Sequence, residues 1–118
     1  MRRSMKTGNK IEHLLKDVSL ETQNIFGDKL RKIILYGSYA RGEDTVGSDV
    51  DIMVLADIYE EEKYYYQQSL DEIAGKASLE NDLTITIILR ERNLFDLRAG
   101  FVPFYRNVLA DGVEVYGG

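Results

Sequence analysis

"ILYGSYARGEDTVGSDVDIMVLA", Ile34 to Ala56, sets two aspartates two positions apart in a stretch otherwise apolar enough to be a buried strand. On one side of its polar centre, "KIILYG" is a β-branched, apolar run stopped by glycine; on the other, "DVDIMVLA" is a second such run. Side chains alternate across a strand, so Asp49, Asp51 and Met53 share one face while Val50, Ile52 and Val54 share the other. At a rise of roughly 3.3 Å per residue, the α-carbons of Asp49 and Asp51 lie about 6.6 Å apart. Over that span two carboxylates can converge on one metal ion or bridge a pair about 3.5 to 4 Å apart. Carboxylates left unpaired beside a core strand are costly, so cations or solvent must compensate them.

Composition narrows the chemistry. The chain has no cysteine and one histidine, His13, which removes disulfides, thiolate zinc sites, cysteine nucleophiles and a histidine-rich metal centre. A metal site must therefore be built from hard oxygen ligands, the chemistry of Mg²⁺ or Mn²⁺. The segment before the aspartates supplies a complementary half. Gly37-Ser38 turns the chain without a bulky side chain, so backbone N–H groups and the Ser38 hydroxyl can approach a phosphate at the start of a short helix. Arg41, one turn further on, can reach the same anion. An anion cradle facing a cation site is what a nucleoside triphosphate with its metals requires.

The rest of the chain frames this centre. At 118 residues, 44% hydrophobic and 30% charged, it reads as one globular domain over 1–118, without a signal or a membrane span, and so as cytoplasmic. A net charge of −5 argues against a large nucleic-acid footprint. The one basic cluster, "MRRSMK", reads as a frayed, solvated terminus, with 1–8 flexible. Ile11, Leu14, Leu15, Val18, Ile25 and Phe26 approximate a helical stripe ended by Gly27, with His13 off the stripe on the surface. Tyr66, Leu70, Ile73 and Ala77 predict a second helix over about 59–79, its end weakened by Gly75. "LTITIIL" is a third strand, "ERNLFDLRA" a helix, and Pro103 opens another helix to about Ala110 before a last extended piece, "VEVYG". This order predicts a small α/β (α+β) fold, a sheet covered by helices.

Gly37-Ser38, ten intervening residues and Asp49-Val50-Asp51, in the wider "GSYARG" and "SDVDIMV", resemble the signature of the DNA polymerase β-like nucleotidyltransferase superfamily. The short length is similar to its minimal nucleotidyltransferase branch. The resemblance implies a mixed sheet flanked by helices, Mg²⁺ on the two aspartates and a triphosphate, by resemblance that of ATP, on Gly37 and Ser38, with Arg41 as an auxiliary charge. The implied reaction is in-line attack of a hydroxyl on the α-phosphate with loss of pyrophosphate. Active relatives place a third carboxylate on a later strand, and Asp82, before "LTITIIL", is the candidate catalytic residue and metal ligand; strand parity puts it with Thr84 and Thr86. The other reading gives Asp82 to the "END" turn and leaves Thr84 in that position.

Other conspicuous residues have plain readings. Tyr64, Tyr65 and Tyr66 spread over about 200° of helix and cannot form one stacking platform. The "EEEK" run is the charged first turn of a helix. Glu43 and Asp44 lie in the loop over the site.

The minimal branch further implies an antitoxin that silences a HEPN-domain toxin by transferring AMP onto a tyrosine. The same fold also suits a binding module that blocks its partner without chemistry. An aminoglycoside-type or other small-molecule nucleotidyltransferase fits less well, because no acceptor-binding domain is present. The sequence leaves self-association open.

Overall fold

β1 (Leu30–Tyr36), β2 (Val50–Ala56), β3 (Ile85–Glu91) and β4 (Val113–Gly117) form one mixed sheet in the order β3-β2-β1-β4. The computed structural model describes Asn9 to Gly117; the expectation for residues 1–8 lies outside the described residues. β1 runs antiparallel to both β2 and β4, and β2 runs parallel to β3. The parallel pair needs a crossover, supplied by the helix α3 (Lys63–Asn81) between them.

β2 is apolar on both faces because both are covered. Val50, Ile52, Val54 and Ala56 pack with Ile33 and Leu35 of β1 beneath α1 (Asn9–Phe26) and α3, which contribute Leu14, Leu15, Val18, Leu70 and Ile73. On the opposite face Ile34, Met53 and Leu55 bury Phe95 of α4 (Arg92–Arg98) and Val108 of α5 (Pro103–Asp111). Asp51 belongs to this second face, as its parity with Met53 requires.

Ends of elements follow local chemistry. Gly27, at φ +55°, closes α1 as expected. α3 is entered through a one-turn 3-10 segment, Glu60–Glu62, where the Tyr59 N–H donates to Glu62 Oε1 at 2.9 Å. Gly75 does not end α3: nothing packs against it, and the helix continues to Asn81. The Glu91 carboxylate caps α4, accepting from the Asn93 and Leu94 N–H groups at 2.8 and 3.1 Å. Pro103 sits in the first turn of α5, where its missing N–H costs nothing.

Two side chains tie layers together. Gln67 of α3 meets the outer edge of β3: its Nε2 donates to Ile87 O at 2.8 Å and its Oε1 accepts from the Leu89 N–H at 2.9 Å. Asp57, just past β2, accepts from Arg31 Nε of β1 and Arg92 Nε of α4 at 2.5 and 3.1 Å. His13 is exposed, and so are Tyr64 and Tyr65, whereas Tyr66 stacks on Phe26 with ring centroids 4.6 Å apart. Among the described residues no helix is long and apolar enough to cross a membrane.

Candidate active site

β1 ends at Tyr36, and Gly37 turns the chain into the single-turn helix α2 (Ser38–Arg41). Gly37 has φ +81° and ψ −159°, a conformation that glycine alone adopts readily. A Cβ added there would stand 2.5 Å from Asp51 Oδ2. The turn and the carboxylate therefore touch, and only a residue without a side chain permits it. The Ala40 and Arg41 N–H groups donate to Gly37 O at 3.1 and 3.2 Å, and the Glu43 N–H to Ser38 O at 2.9 Å. Ser38 is half-buried at this bend.

Asp51 is half-buried on β2, while Asp49 lies exposed one residue before the strand begins. Burial, reinforced by the charge of Asp49 and opposed by Arg41, pushes the Asp51 carboxyl above its ordinary value. Arg41 leans on Glu43, with Nε 2.9 Å from Oε1; that bond, with lesser help from Asp111 and Asp51, raises the guanidinium above its usual value. The loop from Glu43 to Ser48 is exposed apart from half-buried Ser48, whose Oγ accepts from the Thr45 N–H at 2.8 Å.

The register brings in two residues that sequence reasoning did not single out for the site. Tyr36 is the antiparallel partner of Asp51 on β1, and Thr86 is its parallel partner on β3. Directly paired residues face the same side, so Tyr36, Asp51 and Thr86 form a row across three strands. Burial and the Asp51 charge, against the pull of Arg90, push the Tyr36 hydroxyl up to about 12. The signal for Tyr36 was its place at the end of the run leading into Gly37; the pairing that aligns it with Asp51 is tertiary.

Asp82 is corrected. It is not on β3, which starts at Ile85; it is the exposed residue that closes α3, at φ +52°, with its N–H on Ser78 O. Residues 82–84 lie before the strand, so period-two counting does not extend from β3 back to Asp82. Asp82 instead lines a cleft of about 360 Å³ with Gly47, Ser48, Ser78, Leu79, Leu83 and Thr84. Among the described residues no three carboxylates or imidazoles gather into a metal cluster. The structure brings Gly37, Asp49 and Asp51 together with Arg41 in electrostatic reach, and leaves Asp82 out.

Residues 15–111 match the family model of the nucleotidyltransferase domain. The chain belongs to that family. This nucleotidyltransferase is 30% identical over 105 residues to a "Putative protein adenylyltransferase" of Methanocaldococcus jannaschii, covering 89% of this chain and 97% of the relative. A second protein of that name and organism is 32% identical over 105 residues, 89% and 98% of the two chains. Among solved structures, a "putative nucleotidyltransferase" from Sulfolobus solfataricus superposes with a TM-score of 0.58 at 18% identity, covering 97% of this chain and 93% of the other. A toxin-antitoxin crystal structure with AMP-PNP gives 0.53 at 21%, covering 87% and 73%. These likenesses bear out the mixed sheet flanked by helices that the sequence predicted.

Proposed function

We propose that this nucleotidyltransferase moves AMP from ATP to a hydroxyl of a partner protein, a tyrosine of a HEPN-type toxin, and thereby acts as its antitoxin. The observation that carries the reading is the direct abutment of Gly37 on the Asp51 carboxylate, which joins the Gly37-Ser38 turn to a pair of hard oxygen ligands. The names of the Methanocaldococcus jannaschii relatives favour adenylyl transfer to protein, and the sequence resemblance implies the HEPN partner.

The donor set fits Mg²⁺ or Mn²⁺: two carboxylates, one of them raised by burial and by the charge of the other, are short of positive charge. Asp49 and Asp51 would hold the ion. When bound, it supplies charge neutralisation at the phosphates and acidity to the attacking hydroxyl. The chain's own groups do the positioning. The Gly37-Ser38 backbone and the Ser38 hydroxyl hold the triphosphate, and Arg41, released from Glu43, adds a counter-charge on the leaving side. The Tyr36 hydroxyl stays protonated across the physiological range and remains a donor beside Asp51. In the reaction the acceptor oxygen bonds to the α-phosphorus, the bond to the bridging oxygen breaks, pyrophosphate leaves and the hydroxyl proton passes to solvent.

A second reading, partner binding without turnover, draws on Thr86 standing where a third carboxylate would flank Asp51. Mass spectrometry of a HEPN-domain protein from the same genome, co-expressed with this chain, separates the two. Adenylyl transfer expects an added AMP that disappears when Asp49 and Asp51 are both changed to Ala; an unmodified partner in a tight, inhibited complex selects the binding module.

A further inference from the structure

We propose that the exposed apolar ridge along α4 and α5 is the docking surface for the protein that supplies the acceptor hydroxyl, a partner that is basic around that hydroxyl. The inference rests on the protein-acceptor reading of the active site and adds where the acceptor lands.

Leu94, Leu97, Phe101 and Phe104 are 37%, 71%, 67% and 41% exposed. They fall within one short stretch of chain, on the side of the sheet that carries Asp51. The turn between the two helices is held, with the Phe101 and Val102 N–H groups donating to Arg98 O at 3.0 and 2.9 Å. These bonds tie the end of α4 to the start of α5.

It is also joined to the carboxylates. The ring of Phe104 meets that of Tyr36 edge-on, with centroids 5.5 Å apart and planes at 77°, and Tyr36 is the register partner of Asp51. On its other side Phe104 lies 5.8 Å from Tyr105, which lies 4.7 Å from the buried Phe95. Arg90 Nε donates to Tyr105 Oη at 3.0 Å. Four rings therefore run from the active-site row into the second core, with Phe104 as the exposed member nearest Asp51. A protein seated on the ridge places its own surface at the edge of the site.

Charge and extent select the occupant. A nucleobase needs one or two rings, whereas this surface spreads over two helices and the turn between them, the scale of a protein contact. Asp44 is exposed beside the site, where Glu43 pairs with Arg41; Asp111 of α5 lies close enough to act on Arg41, and the chain carries a net charge of −5. A second copy would bring the same negative charge to the same place; a basic partner is attracted to it.

The test uses the full chain and the HEPN-domain proteins of the same genome, each purified. Affinity is read by interferometry, ATP binding with Mn²⁺ by calorimetry and oligomeric state by light scattering. The double variant Leu97→Glu/Phe101→Glu should lose partner affinity by about a hundredfold while ATP binding and mass stay unchanged; Leu20→Glu, an exposed leucine on α1 across the sheet, should match the parent. The proposal is overturned by unchanged affinity in the double variant, by a wild-type dimer that the variant dissolves, by an equal loss of ATP binding, or by no partner binding at all. A partner that needs the ridge but is never adenylylated overturns the transferase reading and leaves the docking surface standing.

Discussion

Thr86 stands across from Asp51 in the parallel register of β2 and β3, its side chain exposed beside the carboxylate. The position that could complete an acidic triad therefore holds a hydroxyl, and Asp82 is spent on closing α3. Asp82→Asn should leave metal-dependent ATP binding and AMP transfer within about twofold of the parent, since asparagine also tolerates the left-handed conformation. Thr86→Asp should tighten Mn²⁺ about tenfold by adding a charged ligand. Calorimetry and transfer assays check both; a tenfold loss in Asp82→Asn would return that residue to the site.

Gly37→Ala meets two obstacles at once, a φ of +81° and the Asp51 carboxylate in the space its methyl group needs. The variant should lose about 2 kcal/mol or more of stability together with metal-dependent ATP binding. Urea denaturation at neutral pH measures the first and calorimetry the second.

Asp57 is the pH-sensitive tie at the other end of the sheet. Burial pushes its carboxyl up, but hydrogen bonds from Arg92 and Arg31 prevail and hold it below its ordinary value. A depressed folded pKa contributes stability that is present above the unfolded value and is lost as pH falls through the carboxylate range. Asp57→Ala should cost about 1 to 3 kcal/mol at neutral pH, because two guanidinium groups lose one acceptor. Stability curves of parent and variant should converge on acidification.

Asp51 has the opposite sign. Its raised folded pKa means that the folded chain binds the proton more readily than the unfolded one, so ionising it costs stability as pH rises. In chelator, Asp51→Asn should melt at the parent's temperature or slightly above it at neutral pH, within about 0.5 kcal/mol. The difference should vanish in acid. Asp49→Asn should act in the same direction by removing the neighbouring charge. Melting scans across acid to neutral pH test the sign, and a clear loss of stability in either variant would mark that carboxylate as structural.

Local pattern carried most of this fold. The apolar run of β2, the glycine after α1 and the proline opening α5 each act through backbone and side-chain preferences confined to a few residues, and each stands where it was expected. The Gly37–Asp51 contact was half legible: sequence supplied the turn and the carboxylate, while the closeness comes from β1 and β2 pairing. What failed depended on where a helix stops. Asp82 takes a left-handed conformation that period-two counting cannot register, and α3 runs on past the exposed Gly75 to Asn81. Tyr36 and Thr86 became site residues through strand register, which no single stretch of sequence specifies.

Gln67 gives the sheet an artificial neighbour. By offering a donor to Ile87 O and an acceptor to the Leu89 N–H, its side-chain amide imitates a short length of strand along a border that would otherwise invite an extended peptide. Growth of the sheet past β3, whether by a stray chain or toward a fibril, must first displace that amide. Association of this protein is thereby steered away from backbone pairing on that border and toward its helical surfaces.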